Sequence, residues 1–292
     1  MLKQKNSNWL IFILLSLIWG SSFILMKKGA ESLTGWQIGA VRMFSAGLVM
    51  LPFALFHIAK IPLRKLPFVL LSGLLGNFFP AFLFALAIEK IDSSMEGILN
   101  SLTPLFVIVI GILFFKDKVQ GRKIAGVMVG LVGLLVLSLS QSSGGNNNIG
   151  YSLLILLATF FYGLNVNVLT HYLKEVPPVR IATVSLALIC IPAAVMVWQQ
   201  NVFAIAMYDS SASLSIAAAV LLGVVGSGIA TGLFYILVRN AGGLFASLVT
   251  YAVPVVSIAW GFLDNEQITA IQLGCLGLIL GGVYLANKRT DK

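Results

Sequence analysis

Residues 71–113 read LSGLLGNFFPAFLFALAIEKIDSSMEGILNSLTPLFVIVIGIL, and residues 221–263 read LLGVVGSGIATGLFYILVRNAGGLFASLVTYAVPVVSIAWGFL. Laid over each other without a gap, 150 positions apart, they put Gly73 on Gly223, Gly76 on Gly226, Phe84 on Phe234, Pro104 on Pro254 and Gly111 on Gly261. Leucine- and valine-rich stretches often match by chance. Chance does not readily hold glycines and a proline in one register across two predicted helices. The reading is a duplicated membrane unit, and duplication of this kind points to transport.

Composition names the solvent. Hydrophobic residues make up 59% of 292, charged residues 10%, and the mean hydropathy is +0.98. A water-soluble fold, in which about 25% of residues are charged, could not hide so much apolar surface. A helix needs about 20 mostly apolar residues to cross the hydrocarbon layer. Ten segments qualify: residues 9–28, 36–57, 66–88, 94–115, 121–140, 150–171, 181–198, 214–238, 244–263 and 270–286. None alternates apolar and polar residues as barrel strands do. The expected fold is therefore an all-α membrane protein with ten transmembrane helices.

Charge sets the orientation. With Lys3 and Lys5 in the cytoplasm, the cytoplasmic connections carry Lys60, Arg64, Lys65, Lys116, Lys118, Arg122, Lys123, Lys174, Arg180 and Arg239, with Lys288, Arg289 and Lys292 at the C-terminus. Of 19 basic residues only Lys27, Lys28, Arg42 and Lys90 fall elsewhere. The acids Glu31, Glu89, Asp92, Glu96, Asp209, Asp264 and Glu266 lie toward the outside. Adding or removing one helix destroys this asymmetry, so both termini are expected inside. The net charge of +9 is thus accounted for by orientation and anionic headgroups, without a nucleic-acid partner.

The stretch Gln141–Asn148 (QSSGGNNN) reads as a flexible linker between residues 9–140 and 150–287, each holding five helices. Five is odd, so the second copy enters the membrane upside down: two inverted repeats, with substrate expected near the midplane between them. The first helix superficially resembles a signal peptide. Its apolar run continues through Phe23-Ile24-Leu25-Met26, however, and a shift of 143 lays Gly20 on Gly163 and Trp19 on Tyr162, which opposes cleavage. Cys190 and Cys275 fall inside spans without metal-ligand spacing and read as packing residues, and His57 and His171 as interfacial groups. No cofactor or metal is expected. Glycine stripes at Gly126, Gly130 and Gly133, and at Gly274, Gly277, Gly281 and Gly282, read as scaffold or dimer packing, so a monomer and a homodimer both fit.

Polar groups are costly in hydrocarbon and should turn inward. Helical spacing puts Glu96, Asn100 and Thr103 on one face of the fourth span, with Thr250 and Ser257 on the equivalent face of the ninth and Tyr251 beside it. Asn77 and Phe84 share a face of the third, as Ser227, Thr231 and Phe234 do in the eighth. Trp19 and Ser22 pair in the first, and Tyr162 and Asn165 in the sixth. Pro104 and Pro254, at equivalent repeat positions, are hinge candidates. Arg42 lies six residues into the second span, about 9 Å from its outer end. It either binds a substrate carboxylate, or snorkels outward or pairs with Glu96. Its repeat counterpart is Ser185.

The residues Leu17-Ile18-Trp19-Gly20-Ser21-Ser22-Phe23, Arg42, Ser101-Leu102-Thr103-Pro104-Leu105-Phe106 and Glu266-Gln267-Ile268-Thr269 before a glycine-rich last helix resemble the drug/metabolite transporter superfamily, EamA type. Asp117 stands where that family commonly has Glu. The resemblance covers residues 9–287 and implies a multi-pass carrier of the inner (plasma) membrane, often exporting amino acids or other small metabolites. A cavity with Trp, Tyr, Phe, Asn and Ser and few charges suits zwitterionic solutes. A lipid-linked or nucleotide-sugar carrier would need more cations than Arg42. A non-transporting assembly or receptor subunit is the other alternative. An enzyme is not expected, because no catalytic group cluster shares one depth. Without a Walker-type loop, ATP hydrolysis is not expected either, while proton antiport, exchange and facilitated diffusion all remain open.

Overall fold

A computed structural model describes residues 2–141, 149–264 and 270–287; the linker residues 142–148, the Glu266–Thr269 motif and the C-terminal basic residues lie outside them. The described chain is helical throughout. Its long segments are α1 (Leu2–Gly29), α2 (Gly35–His57), α3 (Leu63–Ala87), α4 (Ser93–Phe115), α5 (Gly121–Gln141), α6 (Ile149–His171), α7 (Pro178–Gln199), α8 (Ser210–Ala241), α9 (Gly243–Leu263) and α10 (Ala270–Asn287). Among the described residues eight of them are long and apolar enough to cross a membrane, all but α5 and α10; within α5 the apolar run is the shorter Ile124–Gly133.

The boundaries follow local chemistry. Thr34 caps α2 reciprocally: its hydroxyl accepts from the Gln37 N–H, and the Gln37 side chain accepts from the Thr34 N–H at 2.9 Å. Both satisfy donors that the first helical turn leaves free. In α3 and α8 the regular ladder gives way to a wider π-helical turn over Leu74–Phe78 and Leu222–Ile229, at positions that overlap under the 150-residue shift. Such segments displace the helix register and free carbonyls.

Helices α4 and α9 are broken too. In α4, Asn100–Leu102 tightens into a 3-10 turn before the helix restarts at Thr103; α9 is interrupted at Leu248 between Gly243–Ser247 and Val249–Leu263. Pro104 and Pro254 cannot donate to the carbonyls four residues earlier, Asn100 and Thr250. Hydroxyls take over. The Thr103 hydroxyl donates to the Asn100 carbonyl at 2.8 Å, and the Ser101 hydroxyl crosses to the Thr250 carbonyl at 3.0 Å.

Packing obeys an exchange of α1–α5 with α6–α10. Helix α2 lies on α7 and α5 on α10; α1 packs on α9 as α6 does on α4. Glycines permit the closest approaches. A Cβ on Gly47 would sit 2.4 Å from the Cys190 Cβ, and one on Gly282 2.5 Å from the Gly126 carbonyl oxygen. Cys190 thus works as a packing residue between α2 and α7. Gly274, Gly277 and Gly281 face open space rather than α5.

Candidate functional site

The broken helices surround one cavity at the junction of the two halves. From the first half it is lined by Trp19, Ser22, Phe23 and Met26 of α1, Arg42 of α2, Gly76, Asn77 and Phe84 of α3, and Asn100 and Thr103 of α4. From the second come Tyr162 and Asn165 of α6, Thr231, Phe234 and Tyr235 of α8, and Ser247 and Thr250 of α9. Arg42 is the one lining residue from α2, and α7 contributes none among the described residues.

Aromatic rings form the walls. Trp19 packs on Phe234 with centroids 5.2 Å apart, Phe23 on Phe84 at 5.8 Å, and Phe84 on Tyr162 at 6.1 Å in a near-parallel stack. Polar groups are pinned between halves. The Trp19 indole N–H donates to the Gly226 carbonyl at 3.0 Å, taking up a carbonyl of the π-helical turn. The Thr231 hydroxyl donates to the Asn77 side-chain oxygen at 2.7 Å. Between α3, α6 and α8, Ser72 bridges the Asn165 side chain at 2.7 Å and the Tyr235 hydroxyl at 2.9 Å. Asn77 Nδ2 and Asn100 Oδ1 are buried without a hydrogen-bond partner among the described residues. The site therefore keeps one amide donor and one amide acceptor free.

Arg42 is 7% exposed, so it does not snorkel to the interface. Its Nε donates to Ser227 Oγ at 2.9 Å, across the pseudo-symmetric boundary. It makes no ion pair with Glu96 among the described residues. Arg42, Glu96 and Tyr162 share one electrostatic neighbourhood. Glu96 is fully buried, lies off the cavity lining, and has no partner for either carboxylate oxygen.

Several residues singled out from helical spacing lie elsewhere. Ser227 is turned to Arg42. Tyr251 points away toward α5, where a Cβ on Gly130 would meet its hydroxyl at 3.0 Å. Ser257 packs against Gly97. Phe23, Met26, Gly76, Tyr235 and Ser247 line the cavity without having been singled out as lining residues. At the C-terminal ends of α1 and α9, Lys27 pairs with Asp264 at 2.7 Å, and Lys28 with Glu31 at 2.8 Å. At the C-terminal ends of α6 and α4, His171 meets Asp117 at 3.1 Å and stacks on Phe115.

A duplicated bundle of membrane-length helices around a polar, aromatic-walled central cavity defines a membrane transporter. The family model of the EamA-like transporter family matches residues 7–139 and 149–288, and the chain belongs to that family, a multi-pass transporter of the inner membrane. It is 28% identical over 282 residues to an "Uncharacterized inner membrane transporter YedA" of Escherichia coli K12, covering 93% of this chain and 87% of that one. It is 24% identical to a "Probable amino-acid metabolite efflux pump" of Salmonella typhimurium LT2, covering 97% and 95%. A crystal structure matches with TM-score 0.70 at 17% identity over 97% of this chain and 96% of the other, which shows the fold alone.

Proposed function

We propose that the chain is a secondary carrier of small zwitterionic metabolites, amino acids foremost, working by alternating access between two inverted five-helix repeats, residues 9–140 and 150–287, with both termini in the cytoplasm. The observation that carries this reading is the cavity's polar set. The Arg42 guanidinium and the free Asn77 Nδ2 are donors for a carboxylate, and the free Asn100 Oδ1 is an acceptor for an ammonium. The rings of Trp19, Phe23, Phe84, Tyr162 and Phe234 offer an apolar wall to the rest of the solute. A single lining cation fits one carboxylate better than a diphosphate, which places a nucleotide-sugar or lipid-linked cargo second.

Carriers of inverted-repeat type use broken helices at the repeat junction to open alternately to each side. The breaks beside Pro104 and Pro254, each with its freed carbonyl held by a hydroxyl, make these prolines the proposed hinges. Export is the proposed direction, supported by the name of the Salmonella relative. Counterflow in liposomes tests the reading: purified chain preloaded with unlabelled amino acid should accumulate the labelled form transiently. Absence of counterflow across a panel of labelled zwitterions, with folded protein in the vesicles, would refute the carrier and favour an assembly or receptor subunit.

A further inference from the structure

We propose that Glu96 is a proton-binding site coupled to the cavity, and that its proton binds together with a substrate carboxylate rather than in competition with it. The carrier reading above supplies the cargo; the proton site itself stands on its own geometry.

An ionised carboxylate can accept about four hydrogen bonds, and burying one without a partner is strongly unfavourable. Glu96 is 0% exposed and neither oxygen has a partner among the described residues. A bound proton removes the charge and with it most of that cost. No larger ligand has access: the cavity reaches Asn100, one turn further along α4, and not Glu96. A metal ion would need several ligating groups, and no cluster of His, Cys, Asp and Glu able to hold one occurs among the described residues. The site is sized for a proton.

The sign of the coupling follows from what faces Glu96. The charged and titratable groups acting on it are Arg42 from α2 and Tyr162 from α6; α1 and α9, which also pack on this part of α4, add none among the described residues. With Glu96 neutral, the positive charge of Arg42 is uncompensated and available to a carboxylate in the cavity. Loss of the proton places a negative charge within electrostatic reach of Arg42 and opposes that carboxylate. By linkage, the carboxylate must favour the proton as much as the proton favours the carboxylate. The repeat counterparts of Arg42 and Glu96 are Ser185 and Ala246, so the pair occurs once. A zwitterion carried with one proton moves one positive charge, the proton being taken from water on one side and returned to water on the other; an inward proton gradient opposes that movement outward, so export of this kind runs down the solute's own gradient.

The first measurement needs no substrate. Infrared spectra of the full chain in lipid nanodiscs should show a protonated-carboxyl C=O stretch at neutral pH that Glu96→Gln abolishes, with Glu96→Met as a second variant should Gln disturb folding. In liposomes, half-saturation for labelled L-threonine and L-phenylalanine should tighten on the order of tenfold between alkaline and acid pH. The Glu96→Gln protein should hold the acid-state affinity throughout. Absence of the band, tighter binding at alkaline pH, or an unchanged pH profile in the variant overturns the proposal. A Glu96 band without counterflow of any probe would instead remove the carrier reading and leave the proton site standing.

Discussion

Arg42→Gln separates a substrate-binding guanidinium from a structural one. The wild-type side chain is buried, bonded through Nε to Ser227, and without an ion-pair partner among the described residues. If it receives a carboxylate, its removal takes away a charge-assisted hydrogen bond of about 1.5–3 kcal/mol. Half-saturation in counterflow should therefore weaken roughly ten- to a hundredfold. Stability should move the other way. The lost bond to Ser227 costs about 0.5–1.5 kcal/mol, whereas a guanidinium withdrawn from water without an ion-pair partner carries a penalty of several kcal/mol. Melting temperature in detergent should be unchanged or higher. Arg42→Lys, which keeps the charge but not the planar fork, should fall between wild type and Gln in affinity. A carboxyl-free amine analogue of the transported amino acid should bind wild type and Arg42→Gln equally. Wild-type half-saturation for zwitterions in the Gln variant, or a collapse of its melting temperature, would refute the reasoning.

Gly223→Ala should destabilise the fold by about 1–3 kcal/mol, because its Cβ would lie 2.0 Å from Ser45 Oγ and 2.3 Å from the Arg42 carbonyl oxygen; a detergent melt checks this, and counterflow should fall with it as α2 is pushed from α8. Tyr235→Phe strips the hydroxyl from Ser72, so about 0.5–1.5 kcal/mol should be lost; Ser72→Ala also orphans Asn165, and in a double-mutant melt the two losses should be less than additive. Asp264 is held below the usual carboxylate range chiefly by its hydrogen bond from Lys27. A depressed carboxylate contributes stability above its ordinary value and loses it as pH falls through the lower, folded-state value. Melting temperature should thus drop on that acid flank in wild type and not in Asp264→Asn. Solvent screening keeps the difference to about 1 kcal/mol or less.

Helical spacing brought Trp19, Ser22, Arg42, Asn77, Phe84, Asn100, Thr103, Tyr162, Asn165, Thr231 and Thr250 into view, and the structure gathers these around one cavity. It misjudged Tyr251 for a simple reason. Successive helix residues point about 100° apart, so Thr250 inward sends its neighbour to α5. Ser227 sits within the π-helical turn of α8, where the 3.6-residue rule no longer assigns faces. Tyr235 lies four residues from Thr231, so helical spacing places it on the same face of α8 and the signal for it was present in the sequence. Glu96 was legible as a buried acid on the right face of α4. That both its oxygens lie behind the cavity wall was not.

Sequence by itself determined the solvent, the helical class and the duplication, since 59% hydrophobic content and glycines and prolines in shared register are properties of the chain read linearly. Tertiary structure alone decided which partner each buried polar group finds. The Arg42 guanidinium meets Ser227, 185 positions away, the Trp19 indole meets the Gly226 carbonyl, 207 away, and Glu96 is left with none. The reason is physical. A buried polar group is satisfied or orphaned by distances of a few tenths of an ångström between helices from different halves, and no local pattern in either helix carries that distance.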